Sequence, residues 1–169
     1  MRIAIDAMGG DHAPDVVIDA VNNFSREDIE LILVGKEELL KTRVNKDIKI
    51  VNAPEVIGMD EKPVQAVRSK RNSSIVIGTQ LLKNGEADAF FGAGNTGAYV
   101  VVATVILGRI KGVKRPALGT FFPTEQGDYA FVIDVGANAD SKPEHLYQFA
   151  IMASICAVSY THLTLPTKA

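Results

Sequence analysis

The sequence holds a single cysteine, Cys156, and no tryptophan. One thiol excludes an internal disulfide framework, and no Cys/His cluster has zinc-ligand spacing. Cys156 lies among apolar residues and reads as a small core residue rather than a nucleophile. A reducing cytoplasm is the simplest compartment. Charge of one sign is also scarce: 18 Lys and Arg stand against 20 Asp and Glu, a net charge of −2. That balance offers no global attraction to nucleic acid or to an anionic membrane. Long apolar runs are missing too. The longest, from Ala98 to Leu107, falls well short of the roughly 20 residues a membrane-spanning helix needs. The start, Met1-Arg2-Ile3-Ala4-Ile5-Asp6, reads as a strand and not as a signal peptide. What is present is a 169-residue chain with 47% hydrophobic residues, enough for one α/β domain with a core.

Periodicity places strands at Arg2 to Asp6, Glu30 to Val34, Ile48 to Val51 and Asp88 to Phe91, with helical spacing between them. Strand–helix–strand alternation of this kind implies a mostly parallel sheet covered by helices. Asp60 is placed to cap a helix carrying Val64, Ala66 and Val67, and Ser73 or Ser74 to cap the next. Pro116 to Phe122 and Tyr129 to Ile133 read as further strands. Ser141-Lys142-Pro143-Glu144 has the form of a capping box opening a helix through Leu146, Phe149, Ala150 and Ala153. Residues 1–157 read as one domain. The last twelve residues, Val158 to Ala169, lose the helical period and read as a foreign tail on a truncated chain.

Four constellations carry candidate chemistry. The first is Gly92-Ala93-Gly94-Asn95-Thr96-Gly97, a glycine-rich turn between an apolar strand and an apolar helix. Glycines allow close approach to the main chain, and a helix start offers free N–H groups to an anion. The G-x-G-x-x-G spacing also suits a dinucleotide, but Gly108 to Thr124 lacks the acidic residue that would hold a ribose. An NADP alternative through Arg115 stays open, as does a role for the glycines in packing helix on strand. Asn95 and Thr96 add side-chain donors that suit a compact anion.

The second constellation is Asp6-Ala7-Met8-Gly9-Gly10-Asp11-His12 at the end of the first strand, with His12 a candidate acid or base. The third is Asp134 to Asp140, also after a strand, with Asp134 and Asn138 able to bind a ligand or brace a loop. The fourth is basic: Lys62, Arg68, Lys70 and Arg71 in one region, and Arg109, Lys111, Lys114 and Arg115 in another. Arg109, between an apolar helix and Gly112, is the strongest anion-binding candidate there; most single lysines simply solvate.

Longer stretches carry a family likeness. IAIDAMGGDHAP, VIGMDEKPVQAVRSKRNSSI, FGAGNTGAYV, ILGRIKGVKRPAL and IDVGANADSKPEHLYQFAIM together resemble the bacterial phosphate acyltransferases of phospholipid synthesis, over residues 1 to about 157. The family's usual Gly after Phe-Ala-x-Met is Ala153 here. The resemblance implies a three-layer α/β/α fold similar to phosphate acetyltransferases and isopropylmalate dehydrogenases, in chains about twice as long. It implies acyl transfer from acyl-acyl carrier protein to inorganic phosphate without metal or cofactor, by a cytoplasmic homodimer that touches the membrane through the half missing here. Asp6, Asp11, His12, Asp134 and Asn138 are the candidates for positioning and proton transfer. Gly9, Gly10, Gly92, Gly94, Asn95, Thr96, Gly97, Arg109, Lys62 and Arg68 are the candidates for holding phosphate. The competing expectations are an NADP-binding dehydrogenase-like enzyme and an inactive anion-binding fragment.

Overall fold

The computed structural model describes residues 1–163. The chain divides into two compact units, Met1–Gly108 and the part from Arg109 onward. The first unit runs β1 (Arg2–Asp6), α1 (Asp15–Asn23), β2 (Glu30–Gly35), α2 (Glu37–Lys41), β3 (Lys49–Asn52), α3 (Pro63–Ser69), α4 (Ser74–Lys83), β4 (Ala89–Phe91) and α5 (Thr96–Val102). A π-helical turn, Ala103–Leu107, continues α5. The four strands form one sheet in the order β3-β2-β1-β4, and every neighbouring pair is parallel.

The strand sequences explain why helices cover both faces. Ile32, Leu33 and Val34 are consecutive, and none is more than 1% exposed. Side chains alternate across a strand, so such a run needs cover on both sides. Ala4, Ile32 and Val34 pack with Leu81 of α4 on one face. Ala7, Leu33, Ile18 of α1 and Leu40 of α2 pack on the other. Each fully buried Leu or Ile contributes about 1.5–3 kcal/mol, so these two clusters are the main source of the unit's stability. A third cluster joins Ala66 of α3, Ile75 and Val76 of α4, and Ala98 and Val102 of α5.

The strand order matters most for function. The chain moves from β1 outward through β2 to β3, then returns to place β4 on the opposite side of β1. The carboxyl ends of β1 and β4 therefore flank the point where the sheet's winding reverses, the usual ligand crevice of an open α/β sheet.

The second unit holds β5 (Gly119–Pro123) and β6 (Tyr129–Ile133), an antiparallel pair, and the long helix α6 (Pro143–Leu163), which packs on β6. The Phe121 and Phe131 rings pack across the ribbon at a tilt of 44°, with centroids 4.8 Å apart. Gln148 of α6 receives the Lys114 N–H and donates to the Gly112 carbonyl, which ties the 112–114 segment to the helix.

Four local expectations are corrected. Asp60 does not cap α3: Lys62 stands at the N-cap, with Pro63 opening the helix. Ser73 does stand at the N-cap of α4, but its hydroxyl makes no capping bond. The expected Ser141/Glu144 capping box is displaced by one residue. Glu144 pairs with Lys114 instead, and the buried His145 accepts the Lys142 N–H on Nδ1 at 3.2 Å. Histidine thus does at the third helical position what glutamate does in a capping box. Helix α6 also continues without a break past Ala157 to Leu163, where the sequence pattern suggested that it stops. Residues 164–169 of the suspected tail lie outside the described residues.

Candidate functional site

The switch point of the sheet is built from two loops, one after β1 and one after β4. Asp6 ends β1 and is 1% exposed. Its Oδ1 accepts the Met8 N–H at 2.9 Å, and its Oδ2 accepts the Tyr99 hydroxyl at 2.9 Å. Tyr99 comes from the first turn of α5, so one hydrogen bond fastens the first strand's loop to the helix that follows the fourth strand. Burial, the Asp6 charge and that hydrogen bond all push the Tyr99 phenol far above its ordinary value. Tyr99 is thus the donor of this pair, and Asp6 its enclosed acceptor.

The glycines make this closeness possible. A Cβ on Gly9 would lie 2.5 Å from Asp6 Oδ2 and 2.9 Å from the Gly94 Cα. A Cβ on Gly92 would lie 1.7 Å from the Tyr99 hydroxyl oxygen. No real side chain fits at either place. Gly97 lies against Pro63 of α3, and Gly10 against Ala93. The space opened at these glycines is filled by protein, which accounts for the G-x-G-x-x-G pattern through packing.

Asn95 is likewise committed. It is 6% exposed. Its Oδ1 caps α5 by accepting the Ala98 N–H at 3.0 Å. Its Nδ2 donates to the carbonyls of Gly58, Met59 and Glu61 at 3.0, 3.1 and 3.0 Å. The side-chain donor that the sequence offers to a ligand instead holds the 58–61 loop. Glu61 secures the same loop from the other side, accepting from Lys70 and from the Gly58 N–H. Lys70 also donates to the Val56 carbonyl at 2.7 Å. The Lys70 hydrogen bond, helped by Gly58, holds the Glu61 carboxyl below its usual range.

Asp11 and His12 are exposed on the loop after β1, and Thr96 is exposed at the start of α5. Lys62 is exposed at the start of α3, beside the Pro63 that meets Gly97. Arg68 is exposed in the last turn of α3, away from that contact. The first unit thus brings together Asp6, Gly9, Gly92 and Gly94, with Gly10 against Ala93, while Asn95 and Gly97 face the 58–61 loop and Pro63. An open cleft of about 270 Å³, lined by Phe24, Arg26, Glu30, Lys46 and Lys49, lies at the amino ends of β2 and β3, the opposite end of the sheet.

Asp134, Asn138 and Arg109 belong to the second unit. Asp134 accepts the N–H groups of Leu118, Ala137 and Asn138 at 2.9, 3.0 and 2.8 Å, and the Asn138 side-chain amide at 2.9 Å. Partial burial opposes ionisation there, but the hydrogen bonds from Leu118, Asn138 and Ala137 outweigh it and lower the Asp134 carboxyl below its ordinary value. Asn138 also donates to the Pro116 carbonyl at 2.8 Å. The pair braces its own loop. Arg109 donates to the Lys114 carbonyl.

Sequence reasoning missed Tyr99 and the Glu61–Lys70 pair. The available signal was a phenol at the start of an apolar helix, since a buried tyrosine hydroxyl finds a partner. No group of His, Cys, Asp and Glu among the described residues has the arrangement to hold a metal ion.

A parallel α/β unit whose two switch-point loops meet at paired glycines has its candidate site where open α/β sheets commonly bind ligands. The chain belongs to the family described as "Fatty acid synthesis protein", whose sequence model matches residues 1–169. It is 51% identical to the phosphate acyltransferase of Desulfitobacterium hafniense strain DCB-2, over 98% of this chain and 51% of that one. It is 45% identical to the phosphate acyltransferase of Exiguobacterium sp. AT1b, over 100% of this chain and 53% of that one. For the phosphate acyltransferase of Herpetosiphon aurantiacus the identity is 46%, over 98% and 47%. The chain spans about half the length of these curated relatives. No helix among the described residues is long and apolar enough to cross a membrane.

Proposed function

We propose that the chain carries the phosphate-binding half of an enzyme that moves a fatty acyl group from acyl-acyl carrier protein to inorganic phosphate. The observation that supports this most is the meeting of the β1 and β4 loops at Gly9 and Gly94, at the reversal of the sheet, in a chain whose relatives are named phosphate acyltransferases. Phosphate sits at the start of α5, on the backbone N–H groups around Thr96 and the Thr96 hydroxyl. A phosphate oxygen attacks the thioester carbonyl; the C–O bond forms and the C–S bond breaks. The carrier thiolate leaves and takes up a proton. Holding the two reactants together supplies much of the rate, and backbone N–H groups stabilise the developing oxyanion. Asp11 and His12, exposed on the loop after β1, are the groups for proton traffic. Asp6, enclosed between Met8 and Tyr99, is a positioning residue. Lys62 and Arg68 draw in the anionic reactants. In the same reading the whole protein is a cytoplasmic homodimer that contacts the membrane surface through the half absent here.

Trapping of the product with hydroxylamine tests this. The chain is joined to the unmatched remainder of the Desulfitobacterium relative and supplied with acyl-acyl carrier protein and phosphate. Phosphate-dependent acyl hydroxamate is the expected product. Its absence from a folded chimaera overturns the reading.

A further inference from the structure

Helix α6 is apolar on every side. From His145 to Val158 it contains no charged residue. A helix of that composition belongs in a core or in a membrane, not on a surface. Yet from Arg109 onward only His145 and Phe149, at 5% and 3% exposure, are buried among the described residues. Leu146, Tyr147, Ile151 and Ile155 are 57%, 69%, 43% and 61% exposed. Tyr147, Ile151 and Ile155 recur every four residues, so they form a stripe along one side. The ribbon on which α6 rests has only two strands, an arrangement that is marginal without further cover.

We infer that this stripe of α6 is a docking face for polypeptide, and that its occupant is the half of the relatives' length that this chain does not match. Three observations select that occupant. The relatives are about twice as long, so they carry a partner of the needed size. An interfacial membrane helix keeps a charged face rich in Lys and Arg, which α6 lacks over this stretch. No helix among the described residues is long and apolar enough to cross a bilayer either. The inference is independent of the acyl-transfer reading, because it concerns packing alone.

The test compares the same substitution in two settings. Tyr147→Glu with Ile151→Glu is introduced into this chain and into its chimaera with the remainder of the Desulfitobacterium relative. In the chain alone the two carboxylates face water, so the unfolding midpoint stays within about 2 °C of the parent. In the chimaera they are forced into a dry contact, and the midpoint falls by about 5 °C or more. Backbone amides of residues 147–155 also exchange at least about tenfold more slowly in the unsubstituted chimaera than in the chain alone. Equal shifts in both settings overturn the inference, as does unchanged amide exchange or a chimaera that does not fold. A chain that already protects α6 by pairing with a second copy, or by binding phosphatidylglycerol vesicles, also overturns it.

Discussion

At Asn95 one side chain caps α5 and fastens the 58–61 loop, so substitution can separate the two tasks. Asn95→Asp keeps the acceptor for Ala98 but removes the donor and sets a negative charge against three carbonyls. The loss is expected to be about 3 kcal/mol or more in urea unfolding, no smaller than for Asn95→Ala. An aspartate variant as stable as the parent would show that the loop is held by other contacts. Tyr99→Phe removes the donor from the enclosed Asp6 and should cost about 1–3 kcal/mol, measured in the same way. The location of these residues was legible in the sequence: Asp6 ends a strand, and Asn95 precedes an apolar helix. Their partners were not, because Tyr99 is 93 positions from Asp6 and Glu61 is 34 from Asn95. Pairings at that separation depend on the strand order, which no local pattern encodes.

At the scale of elements, β1 and β4 are tied at both ends. Asp6 and Tyr99 close the carboxyl ends, while Asp88 binds Arg2 at the amino ends, through the guanidinium at 2.8 Å and the Arg2 N–H at 2.7 Å. The Arg2 side chain, then its N–H, lowers the Asp88 carboxyl from 3.8 to about 2. A depressed folded-state value means stability that is present above the unfolded value and lost as pH falls through the folded one. The stability gap between the parent and Asp88→Asn is therefore expected to be constant above about pH 5 and to close between about pH 4 and 2. Denaturant titrations across that range check it; a gap that persists at about pH 2 contradicts the pairing. The strands and most helices were visible as apolar runs with the right period. The start of α6 was not, since the choice between Ser141 and Lys142 as N-cap turns on the distant Lys114 taking Glu144. The continuity of α6 past Ala157 was also missed, because a helix without a polar face has no clear period to follow.

At the scale of the molecule, the first unit has two well-filled clusters against its sheet, and the second has two buried residues among those described. The fold class was legible from strand–helix alternation, but the division into two units was not, because no composition change marks Gly108. The candidate site divides in the same way. Its glycines, Asp6 and Asn95 act within the first unit, and Asp134 and Asn138 brace a loop of the second. The central claim is that phosphate is held where the β1 and β4 loops meet. The most direct measurement is the Michaelis constant for phosphate in hydroxamate trapping, for the chimaera and for its Thr96→Val variant. Thr96 is exposed at the helix start and carries no structural hydrogen bond among those described, so its replacement should leave the fold intact. With phosphate held there, the constant for phosphate rises about tenfold, as expected for one lost hydrogen bond to a charged group, while the constant for the acyl carrier stays unchanged. An unchanged constant for phosphate, with hydroxamate still formed, would place the anion elsewhere.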